Sequence, residues 1–180
     1  MRIISGKYKG KRIDLNIEGT RPTMDRVKES IFSTIQNYID ESIVLDLFSG
    51  TGNLGIEAIS NGANKCYFND FNKKACNDII NTIKNFKIED KTIVLNKDYK
   101  DALLLFKNNS IKFDLVFLDP PYKNRIIEEI IDIILKYDLL NENGLIICEY
   151  EYDKLELNNI LLKEIKDKKY GSKKVTILKR

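Results

Sequence analysis

The 180-residue sequence has no histidine and no tryptophan, and only three cysteines and three prolines. Without histidine, no Ser-His or Cys-His pair can activate a nucleophile, so any chemistry rests on carboxylates, hydroxyls, amines or backbone. Cys66, Cys76 and Cys148 have no CxxC spacing, which leaves no pattern for a structural zinc site, and no metal is expected. They read as buried thiols of a reducing compartment. No apolar run approaches the roughly 18 residues needed to cross a bilayer, and the start MRIISGKYKGKR lacks the apolar stretch of a secretion signal. The expectation is a cytoplasmic protein with no membrane association. Repeats, low-complexity segments and Ser/Gly/Pro linkers are also missing.

What is present suffices for a core: 43% of residues are hydrophobic and 32% charged, which suits one domain over 1–180. The net charge of +3 hides an uneven distribution. Residues 1–28 carry 8 basic and 3 acidic side chains, residues 163–180 carry 8 and 2, and the middle is acidic with 14 and 22. Brought together in space, the ends would form a positive face for a polyanion such as RNA or DNA; otherwise they are two solvated lysine-rich ends.

Between residues 43 and 150, short apolar runs alternate with segments of helical spacing, the pattern of βαβ units and a mostly parallel sheet. Strands are expected at 43–48, 65–70, 92–96, 113–118 and 144–150, and helices at 54–60, 73–86, 98–107 and 125–137. The second helix should bury Cys76, Ile79, Ile80 and Ile83. Two flanking pieces differ. Residues 1–38 read as a hairpin around Gly6 and Gly10, followed by a helix capped by Thr23 with Val27, Ile31, Ile35 and Tyr38 as its apolar stripe. Residues 161–168 and 174–179 flank Tyr170-Gly171-Ser172 as a final antiparallel hairpin, making seven strands of an α/β fold.

The stretch VLDLFSGTGNLG places Gly50-x-Gly52-x-x-Gly55 between a strand and a helix, with Asp70 twenty residues beyond Gly50. This is the nucleotide-binding pattern, in which glycines allow close backbone approach and a carboxylate takes ribose hydroxyls. Asp46 separates the candidate ligands. A carboxylate at the crevice mouth repels the pyrophosphate of NAD but complements the sulfonium and α-ammonium of S-adenosylmethionine; alternatively it only caps the loop. Asp98, after the third strand, either binds an adenine amino group or caps its helix.

FDLVFLDPPY ends the fourth strand at the same edge. Prolines make Asp119-Pro120-Pro121 a stiff turn. The Asp119 carboxylate and Pro120 carbonyl would accept both N–H bonds of an exocyclic base amine, and Tyr122 would stack on the base.

The blocks RIISGKYKGKRI, RPTMDRVKESIF, LDLFSGTGNLGIEAISNGA and DPPY, in this order, resemble the bacterial RsmD family over nearly the whole chain. That resemblance implies a class I methyltransferase with a Rossmann-like sheet, and N2-methylation of one guanine in 16S ribosomal RNA by S-adenosylmethionine, leaving S-adenosylhomocysteine. It implies Asp46, Phe48, Gly50 and Gly52 at the methionine end of the cofactor, Asp70 at the ribose and Asp98 at the adenine. Asp119, Pro120, Pro121 and Tyr122 would form the base pocket. Arg21, Thr23, Arg26 and Lys28 would face RNA, joined by Arg2, Lys7 and Arg12 of the basic hairpin. The implied partner is 16S rRNA or the small ribosomal subunit, met by a monomer. A DNA amino-methyltransferase and an NAD-binding oxidoreductase are the alternatives.

Overall fold

The computed structural model describes residues 1–13, 22–120, 126–157 and 161–180. In chain order it contains α1 (Pro22–Ile35), β1 (Ile43–Asp46), α2 (Asn53–Ser60), β2 (Lys65–Asn69), α3 (Lys73–Phe86), β3 (Thr92–Leu95) and α4 (Tyr99–Asn108). These are followed by β4 (Phe113–Leu118), α5 (Ile127–Lys136), β5 (Leu140–Tyr150), β6 (Lys163–Tyr170) and β7 (Lys173–Lys179). Short 3-10 turns follow α1 and precede β3.

The seven strands form one sheet in the order β3-β2-β1-β4-β5-β7-β6. β1 to β5 pair in parallel, while β7 inserts antiparallel between β5 and β6. The central strands are apolar on both faces because helices cover both. Ile56, Ile79 and Ile83 pack on one face together with Val27, Ile31 and Ile35 of α1 and with Ile3 and Ile13. Leu103, Phe106, Ile127, Ile130, Ile131 and Ile134 of α4 and α5 cover the other. Among the described residues, no helix is long and apolar enough to cross a membrane.

The N-terminal segment closes as expected, through an antiparallel bridge between Arg2 and Arg12 and the bonds Ile3 N–H to Lys11 O (2.9 Å) and Ile13 N–H to Met1 O (2.9 Å). Three expectations shift. The helix expected to start from a Thr23 cap already includes Pro22, because proline at a first helical position loses no bond. Ile80, expected in the core, is 36% exposed, since the buried stripe of α3 runs through Cys76, Ile79 and Ile83 to Phe86. β5 starts at Leu140, four residues early, where Leu140 pairs with Phe113 ahead of a register shift.

The strand order reverses between β1 and β4, on whose opposite sides β2 and β5 lie. Ligands of open α/β sheets bind at the carboxyl edge of such a switch point. Both motifs from the sequence, the glycine loop and the Asp-Pro turn, leave the sheet there.

Candidate active site

A cavity of about 1000 Å³ opens at this edge. The end of β1 supplies Asp46, the β1–α2 loop supplies Phe48, Ser49, Gly50 and Thr51, the segments after β2 and β3 supply Asp70, Phe71 and Asp98, and the turn after β4 supplies Asp119 and Pro120.

The glycine loop is tied down by its own backbone. Ser49 N–H donates to Asn69 O (2.9 Å), Gly52 N–H to Ser49 O (2.6 Å), and Ser49 Oγ to Asp46 O (2.7 Å). Gly52 sits at φ 73°, a left-handed conformation that favours glycine, and it does not reach the cavity wall. Its left-handed conformation turns the loop at this point. At Gly55 a Cβ would stand 2.3 Å from Phe68 Cε1, so only glycine lets α2 approach β2 this closely.

Asp46 is 3% exposed, and its Oδ2 accepts the Gly55 N–H at 3.0 Å. The loop-capping alternative is thus correct for one oxygen. Oδ1 takes no hydrogen bond from the described residues and is left for a ligand in the cavity that Asp46 lines. Burial raises this carboxyl from 3.8 to about 7; the Gly55 N–H opposes the rise, and Asp119 and Asp70 add to it. A buried acid so poorly solvated is complementary to a cation.

Asp70 Oδ2 accepts Gly50 N–H (2.7 Å) and Oδ1 accepts Asn72 N–H (2.8 Å), which fixes the carboxylate while a second lone pair on each oxygen remains for a diol. Asp98 caps α4 by accepting Lys100 N–H at 2.9 Å and also lines the cavity, so both of its expected roles fit one position. Phe48 stacks at a tilt on Tyr99, 5.8 Å between centroids.

Sequence reading missed three features. Phe71 is 81% exposed on the cavity wall beside Asp70, a flat apolar surface held in place because Asn96 Nδ2 donates to Phe71 O (2.8 Å). Its signal was an aromatic directly after a strand-ending acid. Asn69 donates from Nδ2 to Leu47 O and Lys97 O, both at 3.2 Å, and so ties the two loops that flank the crevice. Lys173, from the distant C-terminal hairpin, also lines the cavity.

Asp119 is 42% exposed on its side chain, yet the surrounding protein excludes enough water to raise its carboxyl from 3.8 to about 7. Glu149 adds to this rise, Lys173 opposes it, and Glu151 contributes less. Pro121 and Tyr122 lie outside the described residues, as does Arg21; Thr23 lies in α1, and its side chain falls outside the description.

Of the expected RNA contacts, Arg2, Lys7, Arg12 and Arg26 are exposed. Lys28 is not: it is 2% exposed, pairs with Glu57 at 2.8 Å, and donates to Arg2 O (2.6 Å) and Asn53 Oδ1 (2.8 Å). Three partners use its three N–H donors, so Lys28 holds the N-terminal segment to α2 and offers nothing to a phosphate.

Dinucleotide-binding sheets keep a parallel order ending 4-5-6, whereas here an antiparallel β7 separates β5 from β6. This sheet, the glycine loop with its uncompensated Asp46, and an Asp-Pro turn on the same cavity define a class I S-adenosylmethionine-dependent methyltransferase. The family described as Conserved hypothetical protein 95 matches residues 1–179. Ribosomal RNA small subunit methyltransferase D of Haemophilus influenzae is 38% identical over 156 residues, covering 86% of this chain and 80% of that one. The protein of the same name from Buchnera aphidicola is 36% identical over 176 residues, covering 94% and 88%. A solved Escherichia coli structure, provisionally named a methyltransferase, superposes with a TM-score of 0.88 at 26% identity, over 100% of this chain and 97% of that one. The chain belongs to this family, that of ribosomal RNA small subunit methyltransferase D.

Proposed function

We propose that the protein methylates the exocyclic N2 of one guanine in 16S ribosomal RNA, acting as a monomer on the small subunit or its RNA. The observation that carries this reading is the shared cavity: the adenosyl-type acids Asp46, Asp70 and Asp98 and the acceptor turn Asp119-Pro120 line one space at the switch point. The names of the relatives supply the RNA, and the resemblance over four sequence blocks supplies the guanine.

The residues fit S-adenosylmethionine. Asp46 faces its cationic methionine end, Asp70 its ribose diol, Asp98 its adenine amino group, and Phe71 offers an apolar face to the base. When bound, this cofactor supplies an electrophilic methyl group on sulfur, and the carbon–sulfur bonding pair leaves with S-adenosylhomocysteine. Asp119 and the Pro120 carbonyl accept the two N–H bonds of the guanine amine and free its lone pair from the ring for attack. The nitrogen then sheds one proton, for which Asp119, with a pKa of about 7, is the suited acceptor. Tyr122, two residues after Pro120 in the sequence, is assigned to stacking, worth about 1–3 kcal/mol.

Incubation with methyl-labelled cofactor and small-subunit particles, followed by mass mapping of the RNA, is expected to give a single N2-methylguanosine in 16S RNA. Asp119→Ala should lower transfer by about two orders of magnitude, the cost of losing one preorganised polar partner, while cofactor binding survives. Methylation of another base or atom, or binding of NADH in place of S-adenosylmethionine, would overturn the proposal.

A further inference from the structure

The acceptor end of the cavity holds more acid than base. Asp119 shares the wall with Glu149 at the end of β5 and Glu151 just beyond, and Asp46 faces it from the neighbouring strand β1. Lys173, the first residue of β7 after the Gly171-Ser172 turn, enters this group. Its Nζ donates to Glu149 Oε1 and stands 4.0 Å from Asp119 Oδ1. The lysine is 32% exposed and Glu149 12%, so both are partly withdrawn from solvent.

On the methyl-transfer reading above, we propose that Lys173 is a positioning residue of the acceptor site, which keeps Asp119 ionised and aimed at the incoming amine.

The reason lies in hydrogen-bond valence. An ionised Asp119 only accepts, as an amine N–H requires; a protonated one carries an O–H donor that competes with it. Exclusion of water, then Glu149 and Glu151, push Asp119 toward the protonated form. Lys173 is the opposing charge. Although burial works against its own ionisation, Asp119 and Glu149 hold its ammonium above the usual lysine range, so it stays charged wherever the enzyme works. Its bond to Glu149 fixes the ammonium beside the turn. The C-terminal hairpin, which contributes nothing to the glycine loop, thus reaches the chemistry through this one side chain.

The test is the pH dependence of single-turnover methyl transfer to small-subunit RNA, measured for wild type, K173M, K173R and E149Q, with carbon-13 NMR titration of the Asp119 carboxyl in each. Wild type should lose activity as pH falls through about 7. K173M should move this limb and the Asp119 titration up by about one pH unit, a usual scale for loss of a nearby opposite charge. That makes it about tenfold slower on the acid side, with unchanged affinity for cofactor and RNA. K173R should keep the wild-type limb, and E149Q should move it down. A K173M rate lowered equally at every pH, or a change confined to RNA affinity, overturns the inference. If K173M does not fold, K173Q replaces it, and an unmoved limb there overturns the inference equally. If wild type transfers no methyl to RNA, the functional reading fails by itself, and the Asp119 titration still decides the role of Lys173.

Discussion

Asp46 joins a carboxyl raised to about 7 to a nearly solvent-free position. Between pH about 4 and 7 the folded protein retains a proton here that the unfolded chain has released. The stability linked to this proton is therefore complete below about pH 4 and is lost as pH rises through 7. The ligand-free protein should melt at a lower temperature at pH 8 than at pH 5.5, and Asp46→Asn should remove much of that slope, leaving the part due to Asp119. A cationic ligand reverses the trend. S-Adenosylmethionine affinity is expected to climb from pH 6 to 8, with a proton released on binding. Calorimetry in two buffers of different ionisation enthalpy reads this directly, and a flat affinity over the interval would contradict the assigned role.

At the scale of elements, the N-terminal segment is fastened to α2 by a buried anion, Glu57, and by Ser60, which accepts from Lys7 N–H (2.7 Å) and Tyr8 N–H (3.0 Å). Glu57, 0% exposed, accepts from Ser5 N–H (2.8 Å), Ile4 N–H (3.0 Å) and Ser5 Oγ (2.8 Å), and pairs with Lys28 of α1. Removing one partner of such a pair strands the other charge, at a cost of about 3–5 kcal/mol. Glu57→Gln should lower stability by that amount in denaturant titration and speed hydrogen exchange at Ile4 and Ser5; a loss below about 1 kcal/mol would mean the segment is held mainly by Ile3, Ile13 and the Ser60 bonds. The elements themselves were legible in the sequence, because periodicity and the Gly and Pro punctuation report local geometry. β4 falls where its apolar run lies, and α3 begins and ends as its spacing suggests. The acids at strand ends were legible for the same reason, since a strand fixes where its last residue emerges. Contacts between distant segments were not. Lys28 resembled a surface cation because nothing at its own position shows that Glu57, 29 residues on, lies beneath it. The pairing of Lys173 with Glu149 and the exposure of Phe71 depend on how β7 and the β2–α3 turn meet the cavity, which local pattern does not encode.

For the whole molecule, the C-terminal hairpin docks on α1 just beyond the basic N-terminal stretch: Lys166 Nζ of β6 donates to Ser30 O (2.8 Å) and Thr34 Oγ1 (2.6 Å). Much of the C-terminal charge is nonetheless committed. Lys173, Lys174 and Arg180 pair with Glu149, Asp167 and Asp138. Exposed positive charge near the cavity lies on the N-terminal hairpin, where Lys7 and Arg12 are exposed and Met1 borders the cavity. RNA affinity should fall steeply with salt, and Lys7→Ala with Arg12→Ala should reduce the log–log salt slope by about 0.7–0.9 for each phosphate that is no longer neutralised. A slope identical to wild type would move the RNA surface elsewhere.

The outermost strand gives the surplus lysines another meaning. Among the described residues β6 ends the sheet, and its outer backbone N–H and C=O groups have no neighbouring strand, the condition under which two copies can zip together. Lys163, Lys168 and Lys169 stand exposed along it. Two such edges meeting would press their net positive charges together, which opposes stacking into a shared sheet.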